Sequence, residues 1–96
     1  MDKYDELKML YGAYYGVMDM DSYKTKEFVL KDIKELINYF IEENNIIDTK
    51  ETEMLAKEQP LITRLHDSLI VLKRLDASLE LTLLIKEKIN ELKHAK

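Results

Sequence analysis

Pro60-Leu61-Ile62-Thr63-Arg64-Leu65 is the stretch on which the reading of this chain turns. Pro60 is the single proline among 96 residues, and amphipathic helical pattern runs on both sides of it. Inside a helix a proline costs ~3 kcal/mol, whereas at the first helical position its missing N–H has no intrahelical partner to lose. The stretch therefore predicts a helix opened by Pro60, with Leu61, Ile62 and Leu65 as its first buried turn. Leu69 and Leu72 continue that face, and Asp76-Ala77-Ser78 closes the helix and caps the next one at Ser78.

Upstream, Asp48-Thr49-Lys50-Glu51 has the form of a capping box, with the acceptor at Asp48 and Glu51 three residues later. It predicts a short helix over 49–57. The pattern admits either one kinked helix or two across 49–75, with the short segment packed in the bundle or outside it. Before it, Val29, Ile33, Leu36, Ile37 and Phe40, widened by Leu30 and Ile41, form the stripe of a helix that Asp21 or Ser22 caps and Asn44-Asn45 ends. Lys31, Lys34, Glu35 and Asn38 fall on its outer side. A first helix over 3–18 carries Leu7, Leu10, Tyr11, Tyr14, Val17 and Met18 at i, i+3, i+4, i+7 spacing. Gly12 and Gly16 on it cost ~1 kcal/mol each relative to alanine, which points to a neighbouring helix packed tightly on them. Downstream, Leu81, Leu84, Ile85, Ile89 and Leu92 make a last stripe almost to the end.

Period-2 alternation is absent and only two glycines interrupt the chain, so the fold class is all-α. Short connections favour an antiparallel up-and-down four-helix bundle, with the extra short helix before Pro60. Residues 1–96 make a single domain, long enough to bury one core without staples. The absence of cysteine excludes disulfides and thiolate metal sites. Met1-Asp2-Lys3-Tyr4-Asp5-Glu6 is charged and no continuous apolar run follows, which argues against a signal peptide; no transmembrane helix is expected either.

The net charge of −4 is unevenly spread. Residues 1–58 carry 8 Lys against 14 Asp and Glu, and residues 59–96 carry 7 Lys and Arg against 5 Asp and Glu. The whole is too acidic for a nucleic-acid binder, while the basic second half suits an acidic partner or an anionic membrane surface.

Catalytic and metal-binding patterns find little support. His66 and His94 are far apart in sequence and have no HExxH or His-x-x-x-His partner, and Asp19/Asp21 and Glu42/Glu43 lack the spacing and turn glycine of a calcium loop, so these carboxylates read as solvated helix ends. Small helical enzymes that grip carboxylates, such as the helical chorismate mutases, use several arginines; this chain has Arg64 and Arg74 and none in the first helix. No cofactor and no enzymatic activity are expected. Tyr4, Tyr11, Tyr14, Tyr15 and Tyr23 cluster early, with Tyr11 and Tyr14 on the buried stripe. On the last two helices, Lys73, Arg74, Lys86, Lys88, Lys93 and Lys96 form a basic face, partly neutralised by i,i+4 pairing among residues 86–91.

The second half resembles the enterocin A-type immunity proteins, which protect producers of pediocin-like bacteriocins. The resemblance lies in Pro60-Leu61-Ile62-Thr63-Arg64-Leu65, like that family's third-helix start, and in Leu84-Ile85-Lys86-Glu87-Lys88-Ile89-Asn90-Glu91-Leu92, like the spaced leucines and lysines of its fourth helix. The first half fits more loosely, through Leu10-Tyr11, the turn at Asp19 to Ser22 and the longer helix after it. The segment 45–58 is longer than the family pattern, and the sequence stops at Lys96 where many members carry a further tail. The resemblance implies a cytoplasmic four-helix bundle that binds, from inside, a mannose phosphotransferase permease engaged by bacteriocin, with peripheral membrane contact. By the same resemblance Arg64, Lys73, Arg74, Lys86, Lys88 and Lys93 are the contact candidates. The competing expectation is another helical interaction protein, such as a toxin-neutralising adaptor, suggested by the acidic, tyrosine-rich first half.

Overall fold

The computed structural model describes residues 2–21, 26–77 and 79–94. Five helices follow in order: α1 (Lys3–Met18), α2 (Lys26–Glu43), α3 (Lys50–Glu58), α4 (Leu61–Arg74) and α5 (Leu79–His94). No strand occurs among the described residues, so the chain is all-α. No helix among them is long and apolar enough to cross a membrane.

The segments on either side of Pro60 are two helices, not one kinked helix. Gln59 (φ −63°, ψ 151°) and Pro60 (φ −54°, ψ 146°) are both extended. Proline's ring disfavours helical geometry in the residue before it, which stops α3 at Glu58. Pro60 sits one position earlier than expected. It caps α4, and its carbonyl accepts from the N–H groups of Thr63 (3.0 Å) and Arg64 (3.2 Å), with Leu61 as the first helical residue. The start of α3 is likewise shifted. Thr49 takes the cap position without a side-chain bond, and Asp48 Oδ1 accepts from Lys50 N at 3.2 Å, so the Asp48–Glu51 capping box is not formed.

Two helices end the same way. Asn45 (φ 51°) and Asp76 (φ 52°) adopt the left-handed conformation. Ile46 N donates to Ile41 O and Asn45 N to Glu42 O; Ala77 N donates to Leu72 O and Asp76 N to Lys73 O. These are paired Schellman closures, which satisfy carbonyls that the helix end leaves free. The expected caps at Ser22 and Ser78, and Tyr23, lie outside the described residues.

α1 is the hub. It packs against α2, α3 and, most extensively, α4, and α4 in turn carries α5. Three neighbours bury more of α1 than one stripe. Leu7, Leu10, Tyr11 and Val17 are buried as expected, and so are Met9, Gly12, Ala13 and Gly16, while Met18 is exposed. Val29, Ile33 and Ile37 of α2, Ile46 just after it, Ala56 of α3, Leu65, Val71 and Leu72 of α4, and Leu81, Ile85 and Ile89 of α5 complete the core. Leu84, expected in that core, lies open to solvent, because α5 has only α4 as an extensive partner and its covered face is narrower than its apolar stripe.

The glycine pair faces α4. An alanine methyl at Gly16 would lie 2.5 Å from the backbone oxygen of Arg64 and 2.8 Å from its carbon. At Gly12 the obstacle is the Asp67 carboxylate. The fully buried Ser68 hydroxyl bridges the seam, 2.9 Å from Ala13 O on α1 and 2.9 Å from Arg64 O on its own helix.

Candidate functional site

The six basic side chains singled out by sequence separate into three settings. Arg64 is used up internally. Its Nε donates to Gln59 O (3.0 Å), its Nη1 donates to Tyr15 O (3.3 Å) and ion-pairs with Asp19, and only 14% of its side chain is exposed. The guanidinium fork thus ties the break at Gln59 to the C-terminal turn of α1, where free carbonyls and a carboxylate favour a cation. Arg74, more open, pairs with Glu6 of α1. Asp19, read from sequence as a solvated helix end, is Arg64's partner.

Lys88 belongs to a different side of α5. It lies 3.6 Å from Glu91 and shares a hollow with Met20, Asp21 and Leu84. The pairing on this helix is therefore i,i+3, not the i,i+4 arrangement expected.

Lys73, Lys86 and Lys93 come together along the groove between α4 and α5. Its larger hollow, about 580 Å³, has Leu69, Ile70, Leu72 and Leu79 as apolar lining and Lys73, Lys86 and Asp76 as charged lining. A second hollow of about 240 Å³ continues it, lined by His66, Leu69, Ile89, Asn90, Lys86 and Lys93. Leu69 and Lys86 belong to both. Ile70, Leu79 and Leu83 remain exposed on these helices. Sequence reasoning missed this apolar component. Its signal was the presence of Ile70 and Leu79 off the buried register, large aliphatic side chains where a solvated face would carry polar ones.

The groove has an apolar floor and three lysines with one carboxylate at its edge. Such a surface binds by desolvating an apolar partner and pairing its acidic groups at the rim.

Two other features frame the molecule. On the α1–α3 side, Tyr15 Oη donates to Glu53 Oε2 at 2.6 Å and lies under Lys57, 5.4 Å from the ring centroid. Burial, then the bond to Glu53, pushes the phenol well above its ordinary range. An acidic, apolar hollow of about 400 Å³ lies nearby, lined by Tyr4, Asp48, Glu51, Thr52 and Leu55. Ile47, next to Asp48 in the chain, is 97% exposed. At the α1–α4 seam, burial pushes the Asp67 carboxyl up from 3.8 to about 6, against the pull of Lys8. Among the described residues no group of three or more His, Asp or Glu is placed to hold a metal ion.

Comparison with protein-family models, with curated proteins and with solved structures returned no match to this chain.

Proposed function

We propose that the protein is a bacteriocin immunity protein, a binding module that docks from the cytoplasmic side on a bacteriocin-engaged permease of the mannose phosphotransferase type. In this reading α1, α2, α4 and α5 make an antiparallel up-and-down four-helix bundle, with α3 packed on α1, and the protein carries out no chemistry of its own. The observation that carries it is the α4–α5 groove. The half of the chain that resembles the immunity family holds an apolar cleft edged by Lys73, Lys86 and Lys93. Contact is thereby assigned to these three lysines. Arg64 and Arg74 support the fold instead, through their carboxylate partners on α1 and the α1–α2 turn. Peripheral contact with an anionic membrane would use the same lysines.

The test is a killing assay with pediocin-like bacteriocins on a sensitive strain, with and without the gene. Protection against one or a few peptides, lost when Lys73, Lys86 and Lys93 are replaced together by glutamate, is the expected result. Unchanged killing by every peptide, with folded protein present in the cells, would refute it.

The alternative, a toxin-neutralising adaptor, is favoured by the acidic hollow of Tyr4, Asp48, Glu51 and Leu55 beside the exposed Ile47, a surface suited to a basic, apolar toxin. A co-purifying basic partner released by Glu51→Lys would favour that reading.

A further inference from the structure

The outward face of α2 has the chemistry that the α4–α5 groove lacks. Phe28, Asp32, Glu35, Tyr39 and Glu42 follow one another at steps of three or four residues, so they share one face of the helix. That face points away from the core: Phe28 is 70% and Tyr39 62% exposed, and the three carboxylates are exposed with them. Asp32 and Glu35 lie between the two rings, with Lys31 on the edge of the face and Lys34 further round the helix.

The groove is long enough for this face. Phe28 and Tyr39 are eleven residues apart, about 16 Å along a helix rising 1.5 Å per residue. In the groove, the α5 lining runs from Leu79 to Lys93 across both hollows, fourteen residues or about 21 Å, long enough to take both rings. Lys86 lines both hollows, as Asp32 and Glu35 stand between the two rings. One ring would enter each hollow, and the carboxylates would meet Lys86 and Lys73.

We propose that the protein associates with itself, the Phe28–Tyr39 face of α2 on one copy docking in the α4–α5 groove of a second. The contact is head to tail, because the two surfaces are different patches of the same chain. It involves one helix face against one groove, at the small end of protein interfaces, so it is reversible with a Kd on the order of 10–1000 μM. Its charges make it salt-sensitive. The proposal does not depend on the immunity reading, although association would cover the face assigned there to the target.

Sedimentation equilibrium on the whole protein tests it. From about 10 μM to about 1 mM at low salt, the weight-average mass should rise clearly above the 11.4 kDa of one chain, and fall back in roughly 0.5 M NaCl. The double variant Asp32→Lys/Glu35→Lys should stay monomeric, and so should Lys73→Glu/Lys86→Glu. An equimolar mixture of the two should associate again, since each supplies the surface the other has lost. Phe28→Ser with Tyr39→Ser leaves every charge in place and should also abolish association, which covers the case of a charge swap that fails to fold. A mass that stays at one chain throughout the range would overturn the proposal, as would association that survives all three variants. A monomer whose groove amide signals shift only with phosphatidylglycerol vesicles, or only with an added acidic helical peptide, would overturn it in favour of that occupant.

Discussion

Gly12 and Gly16 lie one turn apart on the same face of α1, yet alanine should have opposite effects at the two positions. The substitution gains ~1 kcal/mol of helix propensity at either site. What differs is the obstacle. At Gly16 the new methyl would sit 2.5 Å from the Arg64 carbonyl oxygen and 2.8 Å from its carbon, atoms fixed in the backbone of α4. Ordinary contact begins near 3.4 Å, so the helices must part by close to 1 Å. Overpacking of this kind costs about 1–3 kcal/mol, and displacing the bridging Ser68 hydroxyl adds about 1 kcal/mol. Net of propensity, Gly16→Ala should destabilise by about 1–3 kcal/mol, a fall in Tm of roughly 5–15 °C for a domain this size. At Gly12 the close atom is the end of the Asp67 side chain, whose Cγ and Cβ lie at 3.3 and 3.5 Å. That carboxylate can swing toward water, so Gly12→Ala should be neutral or stabilising by up to about 1 kcal/mol. Thermal and urea denaturation followed by circular dichroism at pH 7 measure both. Equal responses at the two positions, or a Gly16→Ala protein as stable as the parent, would refute the account of the α1–α4 seam.

The remaining predictions concern individual side chains. The folded-state carboxyl of Asp67 is raised to about 6 from 3.8, so its favourable contribution is complete below 3.8 and is lost as pH rises through 6. Asp67→Asn should therefore be more stable than the parent at pH 7, by about 1 kcal/mol after allowing for the side chain's solvent exposure, with the gap closing at pH 4; a pH-independent difference would count against the burial argument. Arg64→Ala should cost about 2 kcal/mol in urea denaturation, through the Gln59 carbonyl and Asp19 left unpaired while Tyr15 O keeps only the Asp19 N–H, whereas Lys73→Ala, Lys86→Ala and Lys93→Ala should each stay within about 0.5 kcal/mol. Asp76→Gly should raise stability by about 0.5–1 kcal/mol, because its φ of 52° suits glycine better; a loss on melting would show that the aspartate makes a compensating bond. Leu65→Ala, at a position with no exposed surface, should cost about 2–5 kcal/mol, and a Tm change of only a degree or so would misplace the inner face of α4.

What could be read from the sequence was local. Asn44-Asn45 and Asp76 announce helix ends because the left-handed closure depends on the residue that adopts it. Pro60 announces a break because its ring acts on its own neighbours. Even there the register slipped by one position at Pro60 and at Thr49, since each of these residues is sterically compatible with both the cap and the first helical position. What could not be read depended on residues distant in sequence. A stripe at helical spacing presumes one covering neighbour; α1 has three, so Met9 and Ala13 are buried off the stripe, and α5 is covered so narrowly that Leu84 is not. The site shows the same division. Charge counting finds Lys73, Lys86 and Lys93, but it cannot tell that Arg64 is taken by a carboxylate 45 residues away and Arg74 by one 68 residues away.

The seam between α1 and α4 also sets the order of events when the chain is made. Ala13 and Ser68, which bond across it, are separated by 55 residues. At about 5–20 residues per second, α1 leaves the ribosome roughly 3–10 s before the helix that fits its glycines. During that wait α2 and α3 can cover only part of it, and Leu7, Leu10 and Val17 lack the partner that brings Leu65 and Leu72. The nascent chain therefore spends seconds with its hub open. Synthesis of α4, and not the arrival of the first helices, is the step at which this protein can acquire its core.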